Sequence, residues 1–337
     1  MNNKSETTPN MKDIALKAEV STATVSHVIN GTRFVSEEVT ARVRTAMDEL
    51  GYYPNLLARS LRSQSSKTIG LIIPDISNFY YTGMAEGVES TLKKNGYHMI
   101  LSNSYDDVSN EIEAIKLYNS LQIDGVIMVP AIGSQSYLDK YLKGKYPVVF
   151  ADRRPHGFTG DYVILENVKS TYEAISLLIR KGHTKIGFAG GDSVLSTTYD
   201  RILGYKNALK DHGIGVEDAL IKTGSFTYDS GREIAPQLIH EHNVSAIFFA
   251  NEMMTIGAVS YIRQHGIKIP EEVAVISCNC FKWTEITAPP LTVVDQPSAR
   301  LGNSAAELLL SRINNEAAQS NPIELSLETS IIVRESC

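Results

Sequence analysis

Three groups of side chains in this sequence have types and spacings that could do chemistry, and all three point to binding. Ser21, Thr24, Ser26, Asn30 and Arg33 supply hydroxyls, an amide and a guanidinium, groups that hold phosphate oxygens and fix register on a duplex. Thr22 and Ala23 lie among them, with His27 one helical turn further on. Tyr80 and Tyr81 offer flat aromatic faces that suit a sugar ring or a nucleobase. Asn103, Asp106, Asp152 and Arg153 form the third group, just beyond two short apolar runs. Bond-breaking chemistry leaves no comparable trace: there is no G-x-S-x-G elbow, no phosphate loop and no histidine pair at metal spacing. Cys278 and Cys280 read as incidental thiols at a strand end rather than a metal pair. No enzyme, metal or cofactor is expected.

The first group needs helices to carry it. Asn10 can cap a helix running through Ala18, answered by Asp13 in the first turn. Ala18-Glu19-Val20-Ser21 interrupts it, Ser21 caps a second helix from Thr22 to Ile29, and Asn30-Gly31 ends that one. Ser36 caps a third, with Glu37 and Glu38 in its first turn and Gly51 after its end. Val39, Val43, Ala46, Met47 and Leu50 give it one apolar stripe. A second helix that opens on small residues can push its first turn into a major groove. The stretch from Asn55 to Arg62 has helical propensity but is only about two turns long, too short to hold alone. Ser63-Gln64-Ser65-Ser66 reads as a linker.

From Thr68 the texture changes. Apolar runs at 69–73, 99–101, 125–129 and 148–151, then at 185–190, 246–250 and 273–277, alternate with amphipathic helical stretches. This pattern predicts two similar lobes, each a parallel sheet covered on both faces. Ligands of such sheets sit beyond the carboxyl ends of the strands.

Charge is divided the same way. The chain carries −6 overall, but residues 1–67 hold nine Lys/Arg against seven Asp/Glu and the remainder holds 23 against 31. Only the head is suited to phosphate, and the acidic body is repelled by nonspecific DNA. No run of about eighteen apolar residues predicts a membrane span, and the N-terminal stretch has no apolar core for export. Three cysteines make no disulfide framework, so a reduced, cytoplasmic setting is expected.

The segment MKDIALKAEVSTATVSHVINGTRFVSEEV resembles the head of the LacI/GalR family of bacterial repressors. The family pattern A-x-x-A-x-V-S-x-x-T-V-S-[RH]-V-[LI]-N is met by Ala15, Ala18, Val20, Ser21, Thr24, Val25, Ser26, His27, Val28, Ile29 and Asn30. TVSHVIN-x-TRFV is most like the purine and ribose branches. The likeness continues through YYPNLLARSLRSQSSKTIGLI, GHTKIGFAGG, the arginine of DRILGY and PPLTVVDQP, and so covers essentially the whole chain.

The resemblance implies a small all-α helix-turn-helix head at 1–54 and a hinge helix with linker at 55–67. A two-lobed α/β body of the periplasmic-binding-protein kind follows at 68–337. Its N-lobe is expected at about 68–160 plus 293–322, and its C-lobe at about 161–292 plus 323–337. Thr22, Ala23 and His27 would read base edges. Leu61, with Leu57 one turn earlier, would wedge into the minor groove at the central step of the site; the alternative is that the two leucines only pack the hinge helices together. Pyrimidine–purine steps kink most easily, so a pseudo-palindromic operator with a central CpG is expected.

For the body, the resemblance implies that Tyr80, Tyr81, Thr197, Arg201, Phe226, Asn251, Glu252 and Asn279 join Asn103, Asp106, Asp152 and Arg153 around a small effector. Arg201 is the favoured anchor, its planar fork suiting vicinal hydroxyls or a carboxylate. The chain departs from the family at Phe79 (often proline), Glu166-Asn167 (often Asp-Asn) and Asn251-Glu252 (often Asn-Asp). Asn279 stands where an aspartate often anchors the effector, and an amide cannot hold charge-assisted bonds from hydroxyls. An acidic or phosphorylated effector therefore stands open beside a neutral pentose or hexose, which is preferred. Trp283 has two readings, cleft rim or core. The implied protein is a bacterial, nucleoid-associated homodimer whose operator affinity answers to its effector by population shift, with induction and corepression both open. A phosphorylated carrier protein is a further partner in one branch of the family. An exported sugar-binding protein would share the body but has no use for residues 10–62.

Overall fold

The computed structural model describes residues 9–53, 65–131, 136–142, 144–155, 157–279, 282–314 and 321–337. Leu57, Leu61 and Cys280 lie outside them. The chain divides into two compact units at Ser66.

The head is three helices, α1 Met11–Lys17, α2 Thr22–Asn30 and α3 Glu37–Leu50. Each begins at the expected cap. Asn10 and Asp13 form a capping box, and the Ser21 hydroxyl accepts the Thr24 N–H at 3.0 Å. Gly31 and Gly51 close α2 and α3 in the left-handed conformation, where a side chain would be strained. The core is small: Ile14, Ala15, Ala18, Val25, Val43 and Ala46 are buried, while Val28, Ile29, Val39, Met47 and Leu50 pack half-buried against them.

The body holds two six-stranded sheets. The first lobe starts with β1 Thr68–Ile73, α4 Phe79–Lys94, β2 His98–Asn103, α5 Val108–Leu121, β3 Gly125–Met128, α6 Ser136–Tyr141, β4 Val148–Ala151 and β5 Asp161–Leu165. The chain then crosses to the second lobe for α7 Asn167–Arg180, β6 Ile186–Gly190, α8 Ser196–Asp211, β7 Ile221–Thr223 and α9 Tyr228–Pro236. That lobe continues with β8 Ala246–Phe249, α10 Glu252–Gln264, β9 Ala274–Cys278 and β10 Thr292–Asp295. It crosses back for α11 Ser298–Ile313 and β11 Glu324–Leu327, and returns as β12 Ser330–Ile332. The strand orders are β11-β5-β4-β3-β1-β2 and β12-β10-β9-β8-β6-β7. All pairings are parallel except that of β12 with β10.

The lobe boundaries need three corrections. Residues 161–165 pair with β4 and β11 and so belong to the first lobe. Residues 292–295 pair with β9 and β12, so the return crossing comes after Asp295. Residues 324–327 pair with β5 in the first sheet rather than the second. These strands carry no run long enough to announce which sheet they join, and hydrogen-bond partners decide it.

Each sheet is buried on both faces, which explains the unbroken apolar runs. Ile69, Leu71 and Ile73 face a core shared with α4 and α11, and Ile72, Val126 and Met128 face the opposite one. Helices α4 and α11 meet backbone to backbone at Gly87 and Gly302. A methyl group on either would overlap a carbonyl of the facing helix, that of Ala299 or of Met84. Gly302→Ala is expected to cost about 1–3 kcal/mol through this overlap, read as a lower urea midpoint with unchanged slope. A wild-type midpoint would mean that the two helices separate freely.

Candidate functional site

In the head, the capped first turn of α2 leaves Thr22 and Ala23 exposed. The other polar residues of the helix are held by local bonds. Ser21 Oγ lies 2.9 Å from Thr24 Oγ1. Asn30 Nδ2 donates to the Ser26 carbonyl at 2.8 Å and to Ser26 Oγ at 3.2 Å, which leaves Asn30 Oδ1 as its remaining group. His27 Nδ1 pairs with Thr32 Oγ1 at 2.8 Å, leaving Nε2 as the ring's other polar atom. Arg33 is exposed. Phe34, 94% exposed beside it, is a residue that sequence reasoning passed over because an aromatic there reads as core.

In the body, a cavity of about 390 Å³ opens between the lobes. Of the twelve expected residues it gathers Tyr81, Asp106, Arg153, Phe226 and Asn251. It adds Asp75, Asn78 and Tyr105 from the first lobe and Asp192, Ser225 and Thr227 from the second. These additions follow β1, β2, β6 and β7, the positions that a parallel sheet makes available. Residue type alone did not single them out, because Asp75 and Asp192 read as turn formers. Each does form its turn: Asp75 Oδ1 accepts Ser77 N–H at 2.8 Å, and Asp192 Oδ1 accepts Val194 N–H at 2.9 Å.

Arg153 organises the first-lobe wall. Its side chain is buried, pairs with Asp106, and donates to Tyr81 Oη at 3.1 Å and to the Pro130 carbonyl at 3.3 Å. Burial alone would pull its pKa down, but Tyr81, Asp106 and Asp152 outweigh this and hold it above the usual arginine value. Next to it the Tyr80 hydroxyl donates to Asp152 Oδ1 at 2.7 Å. Burial first, and the Asp152 charge second, push the Tyr80 pKa well up, so the phenol stays a donor.

The remaining expected residues do not line the cavity. Arg201 is 5% exposed; its Nε donates to Asn167 Oδ1 at 3.1 Å and its Nη1 to the Ala250 carbonyl at 2.8 Å. Its fork is thus partly taken up by the protein's own acceptors. Thr197 is buried, and Asn103 and Asn279 each keep a buried Oδ1 without a partner. Asn279 also sits at φ 78, a left-handed conformation that asparagine tolerates better than most residues. Glu252, buried at the start of α10, accepts Trp283 Nε1 at 2.5 Å. Trp283 is half-buried against the second-lobe core, which favours the core reading over the rim.

Two buried carboxyl groups titrate near neutrality. Burial pushes Glu252 up to about 7 despite the Trp283 bond. It does the same to Glu111, about 7, despite bonds from the Tyr137 hydroxyl and the Ala131 N–H. A carboxyl whose folded pKa is raised binds its proton more tightly when folded, so stability falls as pH rises from the unfolded value near 4.5 through 7. Glu252→Gln is expected to flatten part of that decline and add about 1–3 kcal/mol at pH 8. Urea unfolding at pH 5, 6.5 and 8 checks it, and an unchanged pH profile would refute it.

Among the described residues no helix is long and apolar enough to cross a membrane, and no group of three His, Cys, Asp or Glu is placed to hold a metal ion. Residues 10–55 match a family model described as bacterial regulatory proteins, lacI family, and residues 175–337 one described as a periplasmic binding protein-like domain. The chain is 34% identical to an HTH-type transcriptional repressor PurR of Vibrio atlanticus, over 94% of this chain and 96% of that one. It is 34% identical to a ribose operon repressor of Haemophilus influenzae, over 97% and 98%. Among solved structures it resembles a transcriptional regulator CelR–cellobiose complex at TM-score 0.75 and 30% identity, covering 98% of this chain and all of that one. The lac repressor dimer bound to operator and an anti-inducer shares the fold at TM-score 0.86 and 22% identity, over 98% and 99%.

Proposed function

Because the chain belongs to the lacI family of bacterial regulatory proteins, we propose that it is a cytoplasmic repressor whose α2 reads its operator and whose interlobe cavity takes a neutral, polyhydroxylated effector. As a member of that family it is a DNA-binding regulator that acts as a dimer and is controlled by a small molecule. No catalytic role is proposed for any residue.

The observation that carries the reading of the head is the exposed Thr22-Ala23 turn at the start of a capped helix, flanked by Ser21, Thr24 and Arg33. A helix N-terminus suits phosphate, and a small-residue turn suits close approach to base edges. The lining of the cavity favours one effector class. Asp75, Asp106 and Asp192 line it against Arg153, which is already paired with Asp106. An anionic ligand would meet an excess of carboxylate there, whereas sugar hydroxyls donate to carboxylates and stack on Tyr81, Tyr105 and Phe226. One relative of solved structure is a cellobiose complex and another is named for a ribose operon, which supports a carbohydrate.

Selection from a random duplex pool at about 0.1 M salt is expected to enrich a pseudo-palindrome with a central CpG. Thr22→Ala is expected to relax preference at one symmetrical base position, costing about 1–3 kcal/mol on the selected site. If no sequence is enriched, with or without sugars present, the DNA-reading role of α2 fails and a carrier-protein partner moves ahead. Neutral pentoses, hexoses and disaccharides are expected to include the compound that raises the melting temperature. Stabilisation by sugar phosphates or sugar acids alone would overturn the neutral assignment.

A further inference from the structure

Arg154 bridges the two lobes at a point other than the three crossovers. It belongs to the first lobe, in the loop between β4 and β5, and its guanidinium is clamped there by Glu324 of β11. Nε and Nη2 donate to the two carboxylate oxygens at 3.0 and 2.7 Å. From that clamp Nη1 reaches Asp200 of α8, in the second lobe, at 3.3 Å. The Arg154 backbone N–H also donates across to Ser196 Oγ, at the first residue of α8, at 2.9 Å. Two donors of one residue thus hold the start of the second-lobe helix, while the opposing carboxylate keeps the arginine in place.

The neighbours of these residues give the bridge its meaning. Arg153 lines the cavity while Arg154 turns to the bridge. Ser196 and Asp200 touch Arg154 while Thr197 and Arg201, the next residues along, are buried. Any ligand that moves Arg153 therefore pulls on Arg154 through one peptide bond. We infer that Arg154, Glu324, Asp200 and Ser196 form an interlobe latch that holds the lobes in this arrangement and transmits occupancy of the cavity to lobe spacing.

The latch is weak by construction. The Arg154 and Asp200 side chains are 35% and 20% exposed, so solvent screens their attraction. A contact of this kind biases an equilibrium without locking it, as a ligand-responsive device requires.

The test needs neither effector nor operator. Ketone-linked spin labels at the exposed positions Glu113 and Lys210 report lobe separation in the full-length, ligand-free protein, diluted with unlabelled chain to suppress signals between protomers. At low salt Asp200→Asn is expected to raise the ratio of long to short separations about two- to fivefold. High salt should do the same to the wild type and add nothing to the variant. Arg154→Gln is expected to give the same rise, and the double variant with Asp200→Asn no more than either change alone. Should Asp200→Asn prove unfolded by circular dichroism, Ser196→Ala, which removes the acceptor of the Arg154 N–H, is read in the same way. Separations unchanged in the variant, or a double variant whose shift is the sum of the two single ones, would overturn the latch. Either result stands whatever the head binds and whichever sugar fills the cavity.

Discussion

A guanidinium only 2% exposed cannot stand in a protein interior without compensation, and Arg153 imposes that condition on the whole first-lobe wall of the cleft. Two aspartates, a tyrosine hydroxyl and a backbone carbonyl meet it. They come from the loop after β2, the strand end of β4, the first turn of α4 and the loop after β3. No two of those segments are adjacent in the chain except through the parallel sheet that brings their ends together. The buried charge and the sheet topology therefore depend on each other. Register fixes where the partners stand, and the partners make a buried arginine tolerable.

The second lobe solves a similar problem with neutral groups. Arg201 is held by an asparagine oxygen and a peptide carbonyl, with Gln296 sharing the same Asn167 oxygen at 3.4 Å. The two walls thus differ in character: one is a charged network around Arg153, the other an amide-rich layer, and each keeps an amide oxygen without a partner, Asn103 Oδ1 on the first lobe and Asn279 Oδ1 on the second. A ligand that both donates and accepts can serve both walls, and a hydroxyl does so at every position.

Much of this was legible in the residues. The caps at Asn10, Ser21 and Ser36 were readable because capping is local chemistry, written in a few neighbouring positions. The seven long apolar runs were readable because strands buried on both faces leave no alternation to misread. The short strands 161–165, 292–295, 324–327 and 330–332 were not assignable, because each is only a few residues long and its sheet is chosen by a partner far away in sequence. The cavity divides in the same way. Tyr81 and Arg153 stood out by type and Phe226 through the family resemblance, whereas Asp75, Tyr105 and Asp192 became visible only once the strand ends were assembled. Glu252 is a different case: an acid expected to face the ligand is buried with one oxygen accepting an indole N–H, a partner 31 positions away that no local pattern announces.

The threefold crossing has a consequence for how the molecule is made. The head is complete once residue 51 has left the ribosome, and domains that are contiguous in sequence fold early in synthesis. The first sheet lacks its edge strand until residues 324–327 emerge, and the second awaits residues 330–332. Both lobes must therefore linger as unfinished sheets with open edges through most of translation. Each is completed by a segment only a few residues from the one that completes the other, so the regulator gains its two lobes almost together. No nonsense truncation between residues 66 and 323 leaves a finished lobe behind a finished head.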